Sequence, residues 1–226
     1  MSVELQVVAD AEAAARAVAE RLAEAARAGG HVVLTGGGTP NRAYELAAEL
    51  QPNWSRVDVW WGDERCVPPG DERSNFAMTK AALLDRLSGS PSVHRVRGED
   101  DPEAAAASYA DELRGVTFDL VLNGLGPDGH TASLFPRAPT LEIRDRLVVP
   151  AEAGLEPFVR RVTLTIPTLE NSRSMIFLAV GEEKADAAKR AFGDEPSLET
   201  PASLVRSAYG RTWAVLDRAA AARLPQ

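Results

Sequence analysis

Little in this 226-residue chain suits redox, membrane or nucleic-acid work. It has one cysteine, Cys66, so no intrachain disulfide can form and no thiolate zinc cluster can be built. That residue lacks a nucleophile's setting, and a small buried thiol is its expected role. Histidine is scarce too: His31, His94 and His130 form no His-x-x-x-His pair and no other metal-ligand spacing, so no metal is required. No apolar run approaches the roughly 18–20 residues of a helical membrane span, and no membrane partner is expected. Basic charge is in deficit, with 25 Lys and Arg against 33 Asp and Glu and a formal net charge of −8. A phosphate backbone demands the opposite balance, so nucleic acid is not an expected partner. The first residues carry no basic stretch followed by an apolar one, so no secretory leader is expected, and a reducing cytoplasm is the expected location.

What is present is ordinary globular material. Hydrophobic residues make up 45% of the chain, too many for a disordered one. The length suits one large domain, and no linker, repeat or low-complexity tract divides it, so residues 1–226 are expected to form a single domain. Short apolar runs alternate with amphipathic stretches. Strands are expected at His31–Thr35, Val57–Trp61, Phe118–Leu122, Leu147–Val149, Val162–Ile166, Met175–Val180 and Thr212–Leu216. Helices are expected from Asp10 to Ala28, after Thr39 (as N-cap) and Pro40, after Ser74, after Asp101-Pro102, and over Glu182–Phe192. The second should bury Ala43, Leu46, Ala47 and Leu50. Continuous apolar strands separated by helices imply a three-layer α/β sandwich with a mostly parallel sheet. Residues 140–170 are less regular and suggest a strand-rich excursion.

Four unusual segments each directly follow a predicted strand: residues 36–39, 62–65, 126–130 and 181–184. In an open parallel sheet these ends share one edge, where ligands bind. Gly36-Gly37-Gly38-Thr39-Pro40 joins glycine freedom to a helix N-terminus, a combination that cradles phosphate but also makes a plain tight turn. It matches neither the nucleotide P-loop nor the dinucleotide fingerprint. Lys184 falls in the first turn of a predicted helix, where a cation opposes the dipole unless an anion sits beside it. Arg160 and Arg161 offer a guanidinium clamp or a charged strand edge. Asp63-Glu64-Arg65 supplies either a reactive carboxylate with an anion-holding arginine or a solvated turn. Asp128-Gly129-His130 is the sharpest cluster: histidine exchanges protons near neutral pH, and Asp128 or Asp63 can fix its tautomer. His31 and His94 have no acidic partner at a suggestive spacing and read as structural or exposed.

These segments resemble the 6-phosphogluconolactonase family, which is grouped with glucosamine-6-phosphate isomerases. The resemblance rests on Leu34–Pro40, Trp61-Gly62-Asp63-Glu64-Arg65-Cys66-Val67-Pro68, Gly124–Pro136 with its Asp-Gly-His-Thr-Ala-Ser-Leu-Phe-Pro run, Arg161–Thr165 and Gly181–Ala185. It implies a Rossmann-like sandwich of the glucosamine-6-phosphate deaminase type. It also implies hydrolysis of 6-phosphoglucono-δ-lactone to 6-phosphogluconate in the oxidative pentose phosphate pathway. On that footing His130 takes a proton from water, Asp128 or Asp63 orients the imidazole or a sugar hydroxyl, and Arg65 or loop N–H groups stabilise the oxyanion. Gly37, Gly38, Thr39, Arg161 and Lys184 are the expected phosphate ligands, with Arg160 the alternative to Arg161. The expected partner is a small sugar-phosphate lactone, the expected assembly a monomer or weak homodimer. No cofactor is expected, because ester hydrolysis transfers no hydride. Two rivals share the phosphate cradle. An amino-sugar-phosphate deaminase carries a glutamate shortly after its histidine, whereas Thr131–Pro136 holds no carboxylate. A non-catalytic sugar-phosphate sensor needs no basic histidine.

Overall fold

In the computed structural model, which describes residues 3–225, helices and strands alternate along the chain. The order is β1 (Val3–Val8), α1 (Ala11–Ala28), β2 (Gly30–Leu34), α2 (Asn41–Leu50), β3 (Val57–Trp61), β4 (Asp63–Arg65), α3 (Asn75–Ala82), β5 (Ser92–Val93), α4 (Pro102–Glu112) and β6 (Leu120–Gly124). There follow β7 (Val148–Ala151), β8 (Arg161–Leu164), α5 (Ile166–Glu170), β9 (Ser174–Ala179), α6 (Ala185–Phe192) and β10 (Arg211–Asp217).

Seven strands form one sheet in the order β1-β10-β9-β6-β2-β3-β5, and every pairing in it is parallel. Side-chain alternation builds two cores. Val33, Trp60, Val121, Met175 and Phe177 face α4, α5 and α6, while Val32, Leu34, Val59, Trp61, Leu122 and Ile176 face α1, α2 and α3. The result is the expected three-layer α/β sandwich. The 140–170 excursion supplies β7 and β8, which join β4 in a small antiparallel sheet of order β4-β8-β7. Only Gly62 separates β3 from β4, so this sheet stands at the carboxyl edge of the large one.

The chain runs β2→β3→β5 in one direction, then returns across β2 to lay down β6, β9 and β10 on its other side. Order therefore reverses between β2 and β6, and their carboxyl ends open a crevice.

Local chemistry explains most helix ends. Asp10 accepts the Ala13 N–H, Ser74 the Ala77 N–H, and Asp101 the N–H groups of Glu103 and Ala104. Several expectations fail instructively. Thr39 is not an N-cap: α2 starts at Asn41 after Pro40, with no side-chain cap, because the first helical hydrogen bond runs from the Tyr44 N–H to the Pro40 carbonyl. Leu50 is 39% exposed rather than buried, since it ends the helix beyond the core. The 182–192 stretch is a 3-10 turn (Glu182–Lys184) followed by α6, so Lys184 precedes the helix rather than riding its first turn. The strand expected to reach Ile166 stops at Leu164, because α5 begins at Ile166 with Pro167 in its first turn. Cys66 is half-buried, and that burial raises its thiol above the usual value. β1, β4 and β5 had no counterpart in the sequence reading.

Candidate active site

The crevice between β2 and β6 holds a cleft of about 220 Å³, open on one side to solvent. Its walls bring together Gly37, Gly38, Thr39, Asp63, Arg65, His130, Arg161 and Lys184. Of the nine site residues expected, only Asp128 lies outside this lining, and it touches the lining through His130.

The His130 loop is shaped by short-range bonds. The Gly126 N–H donates to the His130 carbonyl at 2.8 Å, and the Gly129 N–H to the Gly126 carbonyl at 3.0 Å. A side chain on Gly126 would lie 2.0 Å from His130 Nδ1, so only glycine lets the ring lie against this backbone. Asp128 Oδ1 accepts from the His130 amide at 3.1 Å and meets Nδ1 at 2.5 Å. Burial pushes the Asp128 carboxyl up, but the His130 hydrogen bond and charge outweigh it and hold the group below its ordinary value. An ionised carboxylate only accepts, so Nδ1 carries a proton and Nε2 is the nitrogen left to face other groups. Phe135 packs against the ring at 4.7 Å between centroids.

The choice between Asp128 and Asp63 for the imidazole is thereby resolved in geometry: Asp63 does not reach it. Asp63 is 5% exposed; its Oδ2 accepts the Ser133 hydroxyl at 2.5 Å and its Oδ1 the Asn75 amide at 3.1 Å. Glu64 faces away from the chemistry. It accepts the N–H groups of Arg65, Asn75 and Phe76 and the Ser74 hydroxyl, all at 2.7–2.9 Å. It therefore caps α3 from a distance and locks that helix to β4. Burial raises its carboxyl pKa, and these four donors oppose the rise. Asn75 was missed by sequence reasoning. It is 1% exposed, lines the cleft, bonds Asp63, and lies under Gly36, where a side chain would come within 1.8 Å of its Oδ1. A Ser-Asn pair reads locally as a helix cap, which it also is, so the sequence carried no separate signal.

The cleft is rich in cations without carboxylate partners. Among the described residues, Arg65, Arg161 and Lys184 form no ion pair, unlike some arginines elsewhere, such as Arg42 with Glu12 and Arg95 with Glu99. Burial lowers the pKa of Arg161 and of Lys184; Asp63 opposes the shift at Arg161, and Glu183 and Asp128 oppose it at Lys184. Arg161 is buried on β8 directly opposite Arg65 on β4, and its Nη2 donates to the carbonyls of Leu155 and Pro157. Arg160 points outward and pairs with Glu152 at 3.1 Å, so Arg161 is the arginine in the cleft. At Gly37 the backbone has φ near 90°, a region that favours glycine, and it turns the loop around the open cleft.

The other histidines correct the sequence reading. His94 does have acidic partners: Nε2 lies 2.8 Å from Asp58 and Nδ1 3.0 Å from Glu112, with the ring stacked on Trp60 at 4.0 Å. These partners are far apart in sequence and meet only in the sheet. His31 Nδ1 lies 4.0 Å from Asp58 Oδ2 and accepts the Trp60 indole N–H.

The model of the family described as glucosamine-6-phosphate isomerases/6-phosphogluconolactonase matches residues 7–214. The chain belongs to that family. A 6-phosphogluconolactonase of Streptomyces coelicolor is 37% identical, the match covering 99% of this chain and 95% of the relative. The crystal structure of 6-phosphogluconolactonase from Thermotoga maritima superposes with a TM-score of 0.85 at 32% identity, covering 96% of this chain and 100% of that one. A monomeric glucosamine-6-phosphate deaminase has a TM-score of 0.86 at 19% identity, covering 98% and 100% of the two chains, which places the fold with the deaminase type. No helix among the described residues is long and apolar enough to cross a membrane.

Proposed function

We propose that this chain hydrolyses 6-phospho-D-glucono-1,5-lactone to 6-phospho-D-gluconate, the second step of the oxidative pentose phosphate pathway. The observation that carries it is a tautomerically fixed imidazole sharing one cleft with three unneutralised cations and a glycine turn. The family's 6-phosphogluconolactonases support the same substrate.

In this mechanism Gly37, Gly38, Thr39, Arg161 and Lys184 hold the phosphate, through backbone N–H groups and charge-assisted bonds. His130 Nε2 takes a proton from water as the water oxygen attacks the lactone carbonyl. Asp128 holds the ring and stabilises the imidazolium. Arg65 stabilises the developing oxyanion, a contribution of about 3–4 kcal/mol for a well-placed donor. The tetrahedral adduct expels the ring oxygen, which recovers the proton from His130, and the new carboxyl ionises. Asp63, held by Ser133 and Asn75, accepts a sugar hydroxyl. No covalent intermediate forms and no cofactor takes part. Residues 1–226 act as one catalytic domain in the cytoplasm, as a monomer or weak homodimer. A deaminase relay lacks its carboxylate in Thr131–Pro136.

The test is turnover of freshly prepared lactone measured against its spontaneous hydrolysis. Acceleration that disappears in His130→Ala supports the reading; a wild-type rate equal to the background overturns it.

A further inference from the structure

Two tyrosines outside the cleft carry a feature that the mechanism does not use. Tyr44 lies on α2 and Tyr109 on α4, in the cores on opposite faces of the sheet. Both are buried, with 0% and 1% exposure. Each hydroxyl bonds both backbone groups of a single residue. The Thr35 N–H donates to the Tyr44 oxygen at 2.9 Å, and that hydroxyl donates to the Thr35 carbonyl at 2.7 Å. The Trp61 N–H donates to the Tyr109 oxygen at 2.8 Å, and that hydroxyl donates to the Trp61 carbonyl at 3.2 Å.

The positions of these two clips are not arbitrary. In a parallel sheet, successive residues direct their backbone groups to alternate neighbours. The Leu34 carbonyl accepts the Gly62 N–H at 3.1 Å, so Leu34 faces β3 and Thr35 faces β6. Pairing of β2 with β6 ends at Val33 and Val121, where the crevice opens. By the same alternation Gly62 faces β2 and Trp61 faces β5, whose pairing with β3 ends at Val59 and Val93. Each tyrosine thus replaces a ladder partner just beyond the end of a neighbouring strand. Each also acts immediately upstream of a functional loop: Thr35 precedes Gly36–Thr39, and Trp61 precedes Asp63–Arg65 by one glycine. Left unpaired, these buried backbone groups would be costly, and the loops would leave the sheet at a looser angle.

We propose that Tyr44 and Tyr109 are positioning residues with separable duties: Tyr44 aims the glycine turn at the substrate phosphate, and Tyr109 aims Asp63 and Arg65 at the reacting ring. Neither hydroxyl touches substrate. The assignment of duties rests on the lactonase reading above, whereas the clips themselves do not.

The test compares Tyr44→Phe with Tyr109→Phe in the whole protein. Tyr44→Phe should raise KM and the inhibition constant of 6-phosphogluconate about threefold to tenfold, with kcat within about twofold. Tyr109→Phe should lower kcat about fivefold or more and leave 6-phosphogluconate inhibition within about twofold. A structural role alone would move both parameters together in both variants, and that result overturns the proposal. Two readouts do not need lactonase activity. The rise in Tm given by inorganic phosphate should shrink in Tyr44→Phe and persist in Tyr109→Phe; equal shrinkage in both counts against separate duties. Hydrogen exchange of the unaltered protein should show Thr35 and Trp61 amides protected like the core strands, and exchange as fast as at Gly37 would refute the clips even if neither variant folds. Wild-type protein that lacks turnover but passes these two measurements would sink the lactonase reading and spare the clips.

Discussion

Two histidines in this molecule are bonded to carboxylates, and only one of them lines the cleft. His94, beside the β5 edge, has both ring nitrogens facing carboxylates, Asp58 and Glu112, and a tryptophan against its face. His130, at the crevice, has one nitrogen on Asp128 and no described partner on the other. The first ties two strands and a helix together and has nothing left to offer. The second has one nitrogen committed to orientation and one open to a cleft. Their surroundings differ in the same sense: acids flank the ring at β5, whereas the cleft gathers cations that form no ion pair. Pairing a histidine with a carboxylate therefore does not by itself mark a base; the proposed role of His130 rests on a second nitrogen without a described partner beside a polar cleft.

The strongest way to break this contrast is His130→Ala. Turnover should fall about 10²-fold or more, the loss expected for a general base, while inhibition by 6-phosphogluconate stays near wild type. Unchanged turnover would make the two histidines equivalent. Next in size are the cations. Arg161→Ala or Lys184→Ala should weaken 6-phosphogluconate about tenfold to a hundredfold, the cost of about 1.5–3 kcal/mol for a charge-assisted bond. Lys184→Met sharpens the point: burial disfavours this charge in the free protein, so Tm should hold or rise as affinity falls. A lower Tm would show that Lys184 serves the fold.

The mirror experiment is His94→Ala. It should cost about 1–2 kcal/mol in urea unfolding, because one part-buried and one exposed hydrogen-bonded contact and a stacked ring are lost. Turnover should stay within about twofold; a large kinetic defect would erase the distinction. The smallest effect concerns Asp128, whose carboxyl is held below its ordinary value. A lowered value in the folded state means that its stabilisation is present above the ordinary range and disappears as pH falls through the lowered value. Asp128→Asn should therefore lower Tm slightly near neutrality and flatten the acid slope, so that the two curves converge below about pH 4. An identical acid slope would mean that the His130 contact contributes nothing to folding.

How much of this could be seen in the sequence follows the range of the forces involved. The helix starts at Ser74 and Asp101 act over two or three residues and were legible, whereas Asp10 caps the helix it was expected to begin. So were the strands whose two faces are both buried, and the loops following them that converge on the cleft. β4 was not, because Asp63-Glu64-Arg65 has the composition of a turn and becomes a strand only through β8, about a hundred residues away. β1 escaped for the reason typical of edges: exposed residues at both parities blur its alternation. The partners of His94 and the link from Glu64 to α3 are tertiary matches between ordinary residues. Asn75 shows the limit most sharply, since the first residue of a helix capped by Ser74 also steadies a distant acid.

The Arg65–Arg161 pairing across β4 and β8 has a last consequence. Arg161 is repelled by Arg65 and attracted more strongly by Asp63, yet neither arginine has an acid in ion-pair contact. On the proposed function a bound phosphate supplies that contact, arriving with the substrate and departing with the product. Occupancy should then be part of this molecule's durability: it is least robust when idle and sturdiest when saturated, so heat or protease will remove the unemployed copies first.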